Sequence, residues 1–218
     1  MDDRYSANAR AFAGLIAVVA WVGLVIQFSA STAALGTIEA AAWHLALFFT
    51  ILTNVALAVA FTGVALGKPA FGPPSLLGGA MLSILLVGTV YSLLLAGTQV
   101  LTGGDRYANV VMHYAMPVLV LLFWLTCVPK GSLRTRDPLI WAAYPLTYLA
   151  YALARGGSDG VYPYFFLDVG KLGWAAAMTN AAAISAGFLA AGYLTVWLDR
   201  RLGKSAPAVL LEPAPPGT

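Results

Sequence analysis

The chain is short of charge. Asp, Glu, Lys and Arg make up 10% of its 218 residues, while hydrophobic residues make up 60%. Soluble domains carry about 25% charged residues, and a soluble enzyme this poor in them could not cover its own surface. Disorder is excluded too, because it requires low hydrophobicity. Cysteine is nearly absent. Cys127 stands alone, which rules out an internal disulfide and a cysteine-built metal site, and it reads as a small apolar residue near a helix end. The two histidines, His44 and His113, form no His-Glu-x-x-His pair and have no carboxylate within an apolar stretch, so no metal is expected. The chain lacks a Gly-x-Ser-x-Gly elbow, which excludes an α/β-hydrolase site. The net charge is only +3 and its basic residues are scattered, so there is no stripe for nucleic acid. The apolar stretches hold no charge well inside them and show no internal repeat. That argues against proton pumps, voltage sensors and ion-coupled carriers.

What is left is an all-helical polytopic membrane protein. A membrane helix needs roughly 20 mostly apolar residues. Six stretches qualify, at about 11–28, 43–66, 76–95, 108–128, 139–153 and 174–198. Breakers separate them: Gly67-Lys68-Pro69, Gly72-Pro73-Pro74, Gly103-Gly104-Asp105, Pro129-Lys130-Gly131, Asp137-Pro138 and Gly156-Gly157-Ser158-Asp159-Gly160. The expected organisation is a six-span bundle over 1–204 and a disordered tail over 205–218, where Pro207, Pro213, Pro215 and Pro216 gather. Span one ends near a small-residue run, Ala30-Ser31-Thr32-Ala33. Asp2 and Asp3 beside Arg4 and Arg10 keep its flank from being net positive, so it reads as a retained span rather than a cleaved signal. Lys and Arg count nine on the side of the termini and three on the other. This puts both termini in the cytoplasm of a bacterial-type plasma membrane.

Polar residues gather towards the outer leaflet. Span two carries Thr50, Thr53 and Asn54, three and four residues apart and so on one helix face. Span four brings His113, Tyr114 and Pro117, and span six brings Thr179 and Asn180. Gln27, Tyr91 with Ser92, and Tyr148 with Tyr151 complete the level. Thr and Asn can equally be interhelical hydrogen-bond partners. Tyr148, Tyr151, Trp43 and Trp174 read as interface anchors, and His44 as a group meeting water or headgroups. His113 reads equally as a satisfied helix–helix hydrogen bond and as a base. Neutral imidazole is the side chain that can take a proton near pH 7 without carrying a buried charge. A hydroxyl beside such a base is the minimum for nucleophilic acyl transfer.

Three segments carry a resemblance: Phe48-Phe49-Thr50-Ile51-Leu52-Thr53-Asn54, Met112-His113-Tyr114-Ala115-Met116-Pro117 and Gly160-Val161-Tyr162-Pro163-Tyr164-Phe165-Phe166-Leu167-Asp168. With Lys130-Gly131 and Trp141-Ala142-Ala143-Tyr144-Pro145, they make the chain resemble a bacterial six-span branch related to the androgen-induced membrane hydrolases. Those proteins cleave fatty acid esters of hydroxy fatty acids with a threonine and a histidine. The resemblance implies Thr50 as nucleophile, with Thr53 as the alternative, and His113 as its partner. It implies membrane lipids or fatty acid esters as ligands and no cofactor. Asn54, Asn180 and Tyr114 are candidates to orient His113 or to donate to an oxyanion. Asp168 can reach down to the site or cap span six. Phe123 departs from the pattern, standing where an acidic residue is expected before Trp124. The reading is a lipid-ester hydrolase. A non-catalytic lipid or amphiphile binder is the alternative, and a small-molecule carrier is less favoured.

Overall fold

The computed structural model describes residues 4–98 and 100–204; the expected tail at 205–218 lies outside them. Every regular element among the described residues is helical. Helix α1 (Ala7–Leu35) is capped by Ser6, whose hydroxyl accepts from the Ala9 N–H, and stops at Gly36. Gly36 adopts φ 84° and returns its N–H to the Thr32 carbonyl, a left-handed cap open to glycine. Then follow α2 (Ile38–Leu45), α3 (Phe49–Ala65) and α4 (Pro74–Val90), the last running into a π-helical turn, Tyr91–Leu95. Helix α5 (Gly103–Val110) continues through a second π turn, Val111–Ala115, into α6 (Met116–Thr126). Helices α7 (Asp137–Asp159) and α8 (Val169–Lys204), the latter kinked at Gly173 (φ 76°, ψ 162°), complete the described residues.

Four of these rods are long and apolar enough to cross a bilayer: Ala7–Leu35, Pro74–Leu95, Gly103–Thr126 and Val169–Lys204. The pair α2 and α3 makes a fifth if a bent pair is one span. Span two is therefore not one straight helix. It breaks at 46–48 with a bend of 96°, which puts Trp43 and His44 on α2 and Thr50 on α3. The stretch expected as span five forms helix α7, but with Asp137, Arg155 and Asp159 and its Gly-rich end that helix is not among those apolar enough to cross a bilayer.

Small residues let the rods approach. Ala13, Ala17 and Ala20 on α1 are buried, and α1 packs against α3, where Gly14 approaches Ala65, the packing mode favoured between membrane helices. Phe123 sits fully buried, with Tyr5, Phe12 and Phe61 rings 6.0, 5.7 and 5.1 Å away. The position expected to hold an acid is thus the centre of an aromatic cluster. Large apolar side chains cover the outside instead, among them Val18, Val25, Leu139 and Leu194, as a lipid-facing surface requires.

One end of the bundle is pinned by charge that composition did not reveal. Asp199 on α8 is wholly buried, and one of its oxygens accepts from the N–H groups of Gly131 and Leu133 at 2.9 Å each. The Lys130 ammonium donates to the carbonyls of Trp124 and Val128, capping α6, and lies 4.3 Å over the Trp124 ring. Burial pushes the Lys130 pKa down from its ordinary value, with Asp199 opposing that shift.

Candidate functional site

The break between α2 and α3 is what makes the site. A helix end leaves its last carbonyls without partners, and in hydrocarbon each orphan costs several kcal/mol, roughly. Helix α7 satisfies three of them from one face. Tyr148 donates to Leu47 O at 2.8 Å, Tyr151 to Ala46 O at 3.2 Å, and Arg155 to Trp43 O at 2.7 Å. Arg155 also lies 3.9 Å over the Trp43 ring, and its charge suits the negative end of α2. Tyr148 and Tyr151 therefore hold backbone, a role beyond that of interface anchors.

On the other side of the break, α3 begins with no side-chain cap of its own. Tyr164 supplies one from the segment between α7 and α8: its hydroxyl accepts from the Phe49 N–H at 3.1 Å. That segment is held by Asn180, which donates to the Phe166 carbonyl at 3.0 Å, and by stacking of Tyr164 on Phe166 with centroids 5.2 Å apart. Thr50 thus sits in the first turn of a helix, where the backbone dipole presents its positive end.

His113 arrives on a π turn. Pro117, four residues on, has no N–H to offer the His113 carbonyl, and its ring would crowd that carbonyl in a regular helix. The extra residue of the π turn relieves the conflict, and the Met116 N–H bonds back to Val111 O. Such turns recur at functional positions. Gly88 on α4 packs here; a Cβ on it would stand 2.9 Å from Pro117 Cγ and 3.1 Å from the His113 carbonyl oxygen. The π turn of α4 brings Tyr91 onto the imidazole, with centroids 4.0 Å apart and planes 28° from parallel.

Thr50 Oγ1 lies 3.3 Å from His113 Nε2, and His113 Nδ1 lies 3.2 Å from the Asn109 carbonyl. A carbonyl only accepts, so Nδ1 carries the proton and donates to it. In the neutral ring Nε2 is then the lone-pair nitrogen, and the Thr50 hydroxyl donates to it. The backbone carbonyl of Asn109 is the group that orients the imidazole, and nothing in the sequence marks a backbone atom for that task.

Thr53 is occupied elsewhere, 3.1 Å from the Tyr144 hydroxyl. Asn54 does not reach His113. It is fully buried and donates to the Thr50 carbonyl at 2.8 Å, while its Oδ1 has no hydrogen-bond partner among the described residues. Asn180 meets Phe166, not His113. Tyr114 packs edge-on against Tyr91, 5.7 Å away, and is exposed. Asp168 turns to α8, accepting from the Lys171 N–H at 3.1 Å and pairing with its ammonium at 3.3 Å.

Two cavities share Thr50 as a wall residue. The polar one, about 310 Å³, is lined by His113, Asn109, His44, Gln27 and Asp105 among others. The apolar one, about 120 Å³, runs between α4, α7 and α8 past Leu86, Leu146, Ile184 and Leu189. Thr50, Tyr91, Leu95 and Tyr164 belong to the walls of both. His44, expected merely to meet water, faces the polar cavity. Tyr164 and Tyr91 are the residues sequence reasoning passed over as chemistry: Tyr164 stood only inside a quoted segment, and Tyr91 only in the polar level. Among the described residues no three His, Cys, Asp or Glu gather as a metal site. No protein-family model, curated protein or solved structure matches the chain.

Proposed function

We propose that the protein is a membrane-embedded lipid-ester hydrolase with Thr50 as nucleophile and His113 as base. Supporting this is one observation above all: a hydroxyl and an imidazole oriented by a backbone carbonyl meet at a wall shared by an apolar and a polar cavity. In this reading the acyl chain lies in the apolar cavity and the alcohol portion in the polar one. The Thr50 hydroxyl passes its proton to His113 Nε2 as its oxygen attacks the ester carbonyl. The developing oxyanion faces the first turn of α3 and the proton of the Tyr164 hydroxyl, whose oxygen is already bonded to Phe49. The carbon–oxygen bond to the alcohol then breaks, and His113 returns the proton to the leaving oxygen. Water, deprotonated by His113, attacks the acyl-Thr50 ester, and the carboxylic acid departs as Thr50 regains its proton.

The same reading takes α2 with α3 as one bent crossing and α7 as another, for six in all. The end bearing Lys130, Arg134, Arg136 and Arg200 is cytoplasmic by its basic excess, and the site opens towards the outer leaflet. Hydrolysis of a panel of long-chain esters by the purified protein in detergent tests the function. Thr50→Ala should abolish turnover, and His113→Gln should lower it by about 10²–10⁴-fold. A second reading, lipid binding without turnover, draws on the same two cavities. It predicts saturable binding that survives His113→Gln, with no product from any ester.

A further inference from the structure

The polar cavity has a charge character of its own. Among the described residues no Lys or Arg lines it, and Asp105 is its one carboxylate; the two imidazoles, His44 and His113, are its other titratable groups besides tyrosine. Asp105 Oδ1 accepts from Gln27 Nε2 at 2.9 Å, and the same amide nitrogen donates to Ser31 Oγ at 3.2 Å. Gln27 is thereby fixed with its own oxygen left to accept, and Asp105 Oδ2 bonds to no described residue. Asn109 belongs to the same wall. The inventory is mostly acceptors with amide and hydroxyl donors, and among the described residues it holds a carboxylate but no lysine or arginine to offset a second anion.

We propose that this cavity selects the alcohol portion of the ester by charge. It takes an uncharged, hydroxyl-bearing group of glycerol type and rejects one carrying a carboxylate or phosphate near the ester. The inference rests on the hydrolase reading for its use, but the selectivity itself is a binding property. A polyol satisfies Asp105 Oδ2 and the Gln27 oxygen with its hydroxyls. A carboxylate placed two carbons from the ester meets Asp105 across a partly screened cavity. At an effective dielectric near 20, two charges about 7 Å apart repel enough to cost roughly tenfold in affinity after salt screening. This departs from the esters of hydroxy acids that the sequence resemblance implies.

The test uses ethers, which cannot be hydrolysed, so it does not depend on turnover. Binding of 1-O-octadecylglycerol and of octadecyloxyacetate is measured on the full-length protein in uncharged detergent micelles, for wild type, Asp105→Asn and Asp105→Glu. The expected result is about tenfold tighter binding of the glycerol ether by wild type and Asp105→Glu, with the preference falling to within about twofold in Asp105→Asn. Equal affinities in wild type, or a preference that Asp105→Asn leaves unchanged, overturns the inference. Hydrolysis of monooleoylglycerol and of oleoyl glycolate, with Thr50→Ala as control, is scored separately. Loss of charge selectivity with Thr50-dependent turnover defeats this inference alone. Charge selectivity without any turnover defeats the hydrolase reading alone.

Discussion

Thr50 and Thr53 differ in one decisive respect, and a double-mutant cycle can measure it. Thr53 is 2% exposed, and its hydroxyl pairs with Tyr144 at 3.1 Å. Thr53→Val keeps the shape and removes the oxygen, leaving the half-buried Tyr144 hydroxyl without its partner. Such an orphan costs about 1–3 kcal/mol. Tyr144→Phe should cost about 1 kcal/mol, because the Thr53 hydroxyl can turn to the carbonyl one helical turn back. With both partners removed no orphan remains, so the double variant should be less destabilised than the sum, by a coupling of about 1 kcal/mol. Urea unfolding in detergent, followed by tryptophan fluorescence, reads these values. Ester turnover should stay within about threefold of wild type in all three variants, whereas Thr50→Val should lose at least about 10³-fold. If Thr53→Val abolishes turnover while the fold persists and the cycle shows no coupling, the assignment of roles is wrong.

Three other perturbations probe the scaffold. Gly88→Ala should destabilise the protein by about 1–3 kcal/mol and depress turnover, because its Cβ would crowd Pro117 and the His113 carbonyl; unfolding and kcat measured together check it. Tyr148→Phe should orphan the Leu47 carbonyl and cost about 1–3 kcal/mol, with faster hydrogen exchange at the α2–α3 break. Phe123→Glu should prevent folding, since a carboxylate there would be fully buried among three aromatic rings. A well-folded Phe123→Glu protein, seen as a monodisperse peak on size exclusion, would show that the cluster tolerates the acid the resemblance expects.

The apolar rods were legible because membrane helices announce themselves by length and by the scarcity of charge. Their breaks were less so. The sequence 46–48 holds no Gly or Pro, and the bend there depends on Tyr148, Tyr151 and Arg155 from a helix about a hundred residues on. Periodicity within one segment carries no trace of such a partner. For the same reason Thr50 and Thr53 looked alike: both lie on one face of α3, and only the position of α5–α6 and α7 separates them. His113 stood out as a lone imidazole in an apolar stretch. Its orienter did not, because that is the Asn109 carbonyl. Asp199 was passed over because it follows the last apolar residue of span six, although α8 runs on to Lys204.

The central claim is a covalent one, and the acyl-enzyme can be sought directly. The protein in detergent is mixed with a long-chain p-nitrophenyl ester, quenched in acid within the first turnover, digested and examined by mass spectrometry. The account predicts one acyl group on the peptide containing Thr50, localised to that residue by fragmentation. It should be absent from Thr50→Ala and strongly diminished in His113→Gln. An acyl group on Thr53 or another residue, or an unmodified Thr50 peptide during demonstrable turnover, would contradict it.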